Sequence, residues 1–539
     1  MNGNVEEKLF RPIWLWGALL FSFIAWLTLV LPDHPDALTL SGFARLPLEW
    51  PLLCLVVLLV PRRLRKLVIF LCGILVLLVL LLKLADLGVE SAFQRQFNPY
   101  LDIKMMRDGW NLISGTIGTP GALAALLFAA VAIFLVLAIF LKSAKWMCAS
   151  EDAARRALIA SFSIIALAAC ITPLANRKAF DFHLPQYLAA RLSLVVKSVE
   201  DIHAFEAELS AGVGLQDGTG LFKAVAGKDV VIVFVESYGR SAVENPRYAD
   251  VTVPRLKSIE MEIAKAGLKS VSAWTTSPTV GGLSWLAHGT FMSGLWVNSQ
   301  ARYDRLMISQ HPTLNRLFRQ AGWESVAVMP AITMAWPEAD YFGYEQVFAA
   351  SNLQYRGKPF NWVTMPDQYT LSAFQRFAVA PARSKGHNVM AEIALISSHA
   401  PWTPVPRLVD WNAVGDGSIF DGQAVSGDPP SVVWADAERV RSQYIQTVDY
   451  SLATLGEYMA QHGDDTVFVI LGDHQPASII TGPDASRAVP VHVVTDDESL
   501  VSRFREHGFN DGLIPAPSGK EFPMSDLRRI LIDSFSLQR

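Results

Sequence analysis

The sequence predicts a five-helix transmembrane domain joined to an α/β domain with a mainly parallel central sheet. Three observations carry that prediction. Five apolar runs, each approaching the ~20 residues needed to cross hydrocarbon, fall within residues 1–176. From residue 228 onward, β-branched runs of strand length alternate with stretches of helical period, which is the βαβ pattern. The hydrophobic share of 51% is high, and the excess lies in the first 175 residues.

The five runs are Leu15–Leu31, Leu46–Val60, Leu67–Leu84, Leu123–Leu141 and Ala157–Leu174. No small-x-small cleavage site follows the first, and more runs come after it, so it reads as an anchor rather than a signal peptide. Arg62, Arg63, Arg65 and Lys66 follow the second run, and Lys142, Lys145, Arg155 and Arg156 follow the fourth. Cytoplasmic loops carry the positive excess. The amino terminus is then inside, and five spans place everything after Asn176 outside. Loop Ala85–Gly121 is also expected outside. Its mixture of Phe93, Tyr100, Lys104, Met105, Met106, Arg107 and Trp110 suits a segment lying along the membrane surface.

Residues 177–227 read as a juxtamembrane helix, Phe180–Ser210, and a linker carrying Gly212, Gly214 and Gly218. The α/β domain spans 228–539. Its expected strands are Val230–Val235, Lys269–Trp274, Ser325–Met329, Val389–Ser397, Thr466–Leu471 and Val491–Val494. Helices are expected at Pro254–Ala266, Thr313–Gln320 and Glu438–Gln461. A net charge of −4, from 46 basic and 50 acidic residues, gives no footprint for nucleic acid. The four cysteines, Cys54, Cys72, Cys148 and Cys170, all precede this domain, so it has neither a disulfide framework nor a cysteine metal site.

Two strand-end sequences concentrate the chemistry. DVVIVFVESYGRS (229–241) delivers Glu236 at the end of a buried strand, and TVFVILGDHQP (466–476) delivers Asp473 and His474 after Gly472, a residue suited to a sharp turn. Open α/β sheets place their sites at the carboxyl ends of strands. Two oxygens and a nitrogen suit a divalent cation. Between them, TSPTVGGLSWLAHGTFMSG (276–294) sets Gly281 and Gly282 before Ser284 and an apolar helical run. A hydroxyl at a helix amino terminus is a candidate nucleophile when a cation lowers its pKa. Thr279 is the alternative nucleophile and Thr290 a further rival.

The order VESYG, GGLS with Ser293-Gly294 nine residues on, SSHAPW and LGDHQP resembles membrane-anchored members of the alkaline phosphatase and sulfatase superfamily, over roughly residues 225–500. The likeness is to lipoteichoic acid synthases and related phosphoglycerol and phosphoethanolamine transferases. It implies that Glu236, Ser284, Asp473 and His474 bind one divalent ion, manganese by preference, with magnesium and zinc as alternatives. It makes Ser284 the nucleophile, where the transferases usually carry Thr, and His399 a catalytic and substrate-site histidine. Trp336 falls on a substrate-pocket aromatic. Met329 stands at a substrate position where those enzymes carry His, and Glu338 where they carry a phosphate-binding Arg. Tyr341–Phe348 and Asp367 fit the family as structure, and Trp402, Arg240 and His288 are candidates for the cleft wall. A sulfatase proper is not implied, because Ser284-Trp285-Leu286-Ala287-His288 lacks the Pro and Arg of the formylglycine motif.

The implied function is transfer of a phosphoglycerol or phosphoethanolamine headgroup, through a phosphoseryl intermediate, from a membrane phospholipid to a glycan or lipid acceptor. A phosphate- or sulfate-ester hydrolase is the alternative. The implied location is the bacterial inner membrane, with the catalytic domain on the periplasmic, extracytoplasmic face.

Overall fold

The computed structural model describes residues 13–44, 46–93, 95–102, 105–171, 180–211, 217–483, 485–517 and 519–536. The chain divides into two compact units, one of residues 1–91 and 95–199, the other of residues 92–94 and 200–539.

The first unit is helical: α1 (Ile13–Val30), α2 (Glu49–Leu59), α3 (Arg65–Phe93), α4 (Met105–Cys148), α5 (Asp152–Ile171) and the first part of α6 (Leu184–Ala211). Among the described residues, three helices are long and apolar enough to cross a membrane: Ile13–Val30, Arg65–Phe93 and Gly118–Cys148. The second expected span falls short because Leu46–Pro47 pairs as a strand with Phe180–Asp181 and the helix proper has only 11 residues. The fifth begins with a charged turn, Asp152 to Arg156, and residues 172–174 of the expected run lie outside the described set. The expected loop 85–121 is largely helix instead. α3 runs on to Phe93, and α4 starts at Met105 and kinks at Gly118 (φ 74°), just before Pro120, which lacks the N–H a helix interior needs. The surface-lying reading of Lys104, Met105, Met106 and Arg107 rests on side chains outside the described set.

Polar contacts fix which helix ends meet. Lys83 Nζ donates to the carbonyls of Leu29 and Leu31, both at 2.6 Å, at the end of α1. Glu49 Oε1, at the start of α2, accepts from Leu184 N at 2.8 Å. At the other end of α2, Leu58 O accepts from Arg155 Nε at 3.2 Å.

The second unit is built on nine strands: β1 (Asp229–Val235), β2 (Lys269–Thr276), β3 (Glu324–Met329), β4 (Gln346–Ala349), β5 (Val389–Leu395), β6 (Thr466–Gly472), β7 (Ala488–Thr495), β8 (Asn510–Asp511) and β9 (Glu521–Pro523). Their order is β8-β2-β7-β6-β1-β5-β3-β4, with β9 beside β2. The block β6-β1-β5-β3-β4 is parallel throughout, as expected, while β7 runs antiparallel to both β6 and β2. Strands β4, β8 and β9 were not expected. They have two to four residues each, too few to show a period.

β1 is buried along its whole length. Val231, Val233 and Val235 enter one hydrophobic core, and Val230, Ile232 and Phe234 enter another on the opposite face. That two-sided burial explains a continuous apolar run rather than an alternating one. α7 (Pro246–Lys265) and α10 (Ala437–His462) contribute to the first core, α8 (Ser284–Ser293), α9 (Leu314–Gln320) and α11 (Asp526–Phe535) to the second.

Candidate active site

Strand register builds the site. Val235, the last residue of β1, pairs with Gly472, the last of β6, and with Leu395, the last of β5. Glu236, Asp473 and the turn 396–399 therefore leave the sheet at one level, at its carboxyl edge. Glu236 N donates to Leu395 O at 3.1 Å, and its carbonyl accepts the Ser398 hydroxyl at 2.6 Å. Asp473 Oδ1 accepts from the amides of Ser237 (2.8 Å) and His474 (2.7 Å). Gly472 acts by close approach, since a Cβ there would lie 1.8 Å from Tyr238 O. It is not in the left-handed region that a turn-making glycine would use.

The ligand atoms of Glu236, Asp473 and His474 all lie within 4.8 Å of one another, and all three residues are buried. His474 Nδ1 lies 2.9 Å from Gln475 O, which assigns the proton to Nδ1. Nε2 faces the carboxylates, 3.4 Å from Glu236 Oε1 and 3.6 Å from Asp473 Oδ2. Burial opposes the charge on Glu236, but His474 and then His399 outweigh it and hold its carboxyl down, at about 2. Burial, and after it the charge of Glu236, pushes Asp473 well above the usual carboxylate range. Two carboxylates this close and this deep repel one another unless a cation stands between them. The donor set of two oxygens and an imidazole nitrogen fits a divalent ion.

Ser284 opens α8. Gly281 (φ 74°), Gly282 (φ 147°) and Leu283 (φ 64°) make the turn into it, and Gly281 N is tied to Gln475 O at 2.7 Å. A leucine in the left-handed region is costly, and such strain clusters where geometry matters. The Ser284 hydroxyl lies 3.1 Å from Glu236 Oε2 and 3.2 Å from His474 Nε2, and α8 has no side-chain cap at all. Thr279 is used otherwise: its hydroxyl donates to Gly282 O at 2.7 Å and braces the turn. Thr290 is buried with Val297 N at 3.0 Å from its Oγ1.

The remaining candidates divide. His399 follows Ser398, whose hydroxyl is tied to the Glu236 carbonyl, and its Nδ1 is 2.5 Å from Ala400 O. Trp336 packs beside Phe342 and Tyr344, at ring separations of 6.0 and 5.9 Å. Met329 closes β3 and is buried. Trp402 is packing, buried against Trp434 with its indole N–H donating to Ser398 O at 2.7 Å, and Arg240 turns to Glu244 and Glu521. His288, one helical turn past Ser284, points Nδ1 at Glu392 Oε1, 2.6 Å away, and stacks on Phe234. Two residues here escaped the sequence reading. Glu392 is fully buried in β5, its other oxygen accepting the Tyr344 hydroxyl, and Trp362 stands half exposed with its ring 5.4 Å from His399.

Two carboxylates, an imidazole and a hydroxyl gathered at the carboxyl edge of an α/β sheet suit metal-assisted chemistry. The sequence match agrees with that: residues 228–487, just under half of the chain, match the sulfatase family model, which supports the resemblance to the alkaline phosphatase and sulfatase superfamily. The fold is similar to the lipoteichoic acid synthase LtaP from Listeria monocytogenes (14% identity, 62% of this chain and 78% of that one, TM-score 0.38). It is also similar to the periplasmic domain of EptC from Escherichia coli (15% identity, 58% and 83%, TM-score 0.39). A third likeness is to the phosphoglycerol transferase GacH from Streptococcus pyogenes (11% identity, 62% and 91%, TM-score 0.36). No curated protein matches the chain in sequence.

Proposed function

We propose that this protein is a membrane-anchored transferase that moves a phospho-substituted headgroup, phosphoglycerol or phosphoethanolamine, from a phospholipid to a hydroxyl on a glycan or lipid. The observation that carries the reading is the Ser284 hydroxyl within hydrogen-bond reach of Glu236 and His474 at one buried point. Glu236, Asp473 and His474 would hold a divalent ion, manganese by preference and magnesium or zinc otherwise, which would lower the hydroxyl pKa of Ser284 and offset charge on the phosphoryl oxygens. With its proton already lost to solvent, Ser284 Oγ forms a bond to phosphorus as the bond to diacylglycerol breaks, and His399 gives the leaving alkoxide its proton; Ser284 departs again as the alkoxide in the second half-reaction. The acceptor hydroxyl then displaces Ser284 and returns the proton to His399. The turn 281–283 supports this reading, since three successive left-handed residues leave Ser284 little freedom to reorient.

Five membrane crossings are part of the proposal. Glu49 meets Leu184 at one end of α2 and Leu58 meets Arg155 at the other, which supports α2 and α5 as short crossings beside the three long helices.

The test uses the full chain in detergent with labelled phosphatidylglycerol and phosphatidylethanolamine. Mass spectrometry of the peptide containing Ser284 should show an added headgroup phosphate, and Ser284→Ala should lower diacylglycerol release by at least 10³-fold or so, the scale of lost nucleophilic catalysis. Full turnover in Ser284→Ala, or an adduct on another residue, overturns the reading. Passage of the group to water alone, with every acceptor refused, favours the hydrolase.

A further inference from the structure

A cavity of about 250 Å³ lies wholly within the first unit, walled by Leu31, Glu49, Lys83, Tyr187, Ala190 and Arg191 among others. Its depth follows from helix geometry. Lys83 lies 18 residues beyond Arg65 on α3, about 27 Å along the axis, and the hydrocarbon layer is ~30 Å thick. The bonds from Lys83 to Leu29 and Leu31 bring the end of α1 to the same level. The cavity therefore sits at the membrane boundary opposite the basic cluster Arg62 to Lys66.

Its wall carries unmet polar demand of both signs. Glu49 Oε1 is used by Leu184 N, but Oε2 is buried without a hydrogen-bond partner. Arg191 is buried, with one terminal nitrogen 3.0 Å from Asp86 Oδ2 and the other donating to Phe97 O at 3.0 Å, while Nε has no partner. A buried acceptor without a donor and a buried donor without an acceptor each cost roughly 1–3 kcal/mol. Proteins keep such groups at membrane depth where something else satisfies them. The rest of the lining is mixed: Val30, Leu31, Pro32 and Leu184 are apolar, while Asp33, Gln96 and Gln186 are polar, and Leu27, Leu81 and Leu84 are exposed on α1 and α3, within a few residues of Leu29 and Lys83 in the chain.

We propose that this cavity binds the headgroup of a zwitterionic phospholipid. The phosphodiester is placed beside Arg191 and Lys83, as a charge-assisted acceptor. The ammonium is placed beside Glu49, whose free oxygen needs a donor. A volume of about 250 Å³ takes a headgroup and not acyl chains, so the chains lie along the exposed leucines of α1 and α3. The site is distinct from Ser284 and does not depend on the reading of that residue.

The experiment is native mass spectrometry of the full chain released from detergent, titrated with short-chain phosphatidylethanolamine, short-chain phosphatidylglycerol or inorganic phosphate. Apart from any lipid taken up at Ser284, one phosphatidylethanolamine should bind per chain at the cavity, at least tenfold tighter than phosphatidylglycerol, and phosphate should not displace it. Ala190→Trp, which fills the cavity, should weaken binding at least tenfold. Glu49→Gln keeps the bond to Leu184 N and should erase the preference for the amine headgroup. Unchanged binding in Ala190→Trp, or an unchanged preference in Glu49→Gln, overturns the proposal. If Ala190→Trp does not fold, Glu49→Gln decides alone. Displacement by inorganic phosphate also overturns it and makes the cavity a simple anion site.

Discussion

Ser237 holds both carboxylates of the candidate metal site. Its hydroxyl donates to Glu236 Oε1 at 2.9 Å, its amide donates to Asp473 Oδ1 at 2.8 Å, and its carbonyl accepts the Tyr444 hydroxyl at 3.0 Å. It does this from a left-handed backbone, φ 58°, which glycine would adopt freely. Ser237→Gly therefore separates stability from metal binding. Stability should stay within about 1 kcal/mol of the parent, because relief of backbone strain offsets the added chain entropy. Metal affinity should fall about 10–100-fold, the usual effect of removing a group that orients a ligand. Chelator competition on the full chain measures it, and an unmoved affinity would show that the hydroxyl does not orient Glu236. The convergence of Glu236, Asp473 and His474 was legible because Glu236 and Asp473 directly follow buried strands and His474 is the next residue. Glu392 was not legible. Its partners His288 and Tyr344 are 104 and 48 residues away, and a lone acid in a strand reads as an outward-facing residue until the fold encloses it.

At the scale of elements, the carboxyl ends of β6 and β1 must nearly touch. Gly472→Ala would press a methyl group into the Tyr238 carbonyl at 1.8 Å, a contact with backbone that no rotamer relieves. Overpacking of this kind costs roughly 1–3 kcal/mol or more, and the displaced β6 end carries Asp473 and His474 with it. Metal binding and activity should be lost together while the helical content of the chain is unchanged by circular dichroism. The neighbouring strand β7 shows what sequence could not give. Its residues read as a buried strand, but its direction is set by how 473–487 returns across the sheet, and no local pattern encodes that. β7 also carries His492, fully enclosed, with Nδ1 2.7 Å from Ser272 Oγ and Nε2 3.2 Å from the Tyr238 hydroxyl. Ser272 Oγ already donates to Gly512 O at 2.6 Å, so the ring N–H is on Nδ1. Burial lowers its pKa to about 3. In the unfolded chain the ring protonates near ~6.5. The unfolded state therefore binds one more proton between those values, and this contribution to stability, complete above pH ~6.5, falls by up to ~1.4 kcal/mol per pH unit on acidification toward 3. His492→Gln should flatten the melting-temperature profile between pH 4 and 6.5 by about one proton's worth, and a parallel profile would place the acid sensitivity elsewhere.

At the scale of the whole molecule, the number of crossings decides on which side of the membrane the chemistry takes place. α3 leaves the side of Arg62 to Lys66, and α4 returns to it at Lys142 and Lys145, so both basic loops share one face whichever count is right. The positive-inside tendency makes that face cytoplasmic. If only the three long helices crossed, the chain after α4 would remain there, and residues 200–539 would be cytoplasmic with an external amino terminus. If α2 and α5 also cross, the same residues are external and the amino terminus is inside. α2 is the weak element: 11 residues span about 16 Å, well short of ~30 Å, so its flanks or a locally thinned bilayer must make up the difference. Its end contacts nevertheless favour crossing, because Glu49 lines the same cavity as Lys83 while Leu58 lies against Arg155. Single-cysteine reporters settle the matter in a background where Cys54, Cys72, Cys148 and Cys170 are replaced. Lys257→Cys, on an exposed face of α7, should react with a membrane-impermeant thiol reagent in intact cells. Glu151→Cys, between α4 and α5, should react only after permeabilisation. The reverse pattern would leave α2 and α5 on one side of the bilayer, confine Ser284 to the cytoplasm, and restrict its donors and acceptors to what the inner leaflet presents.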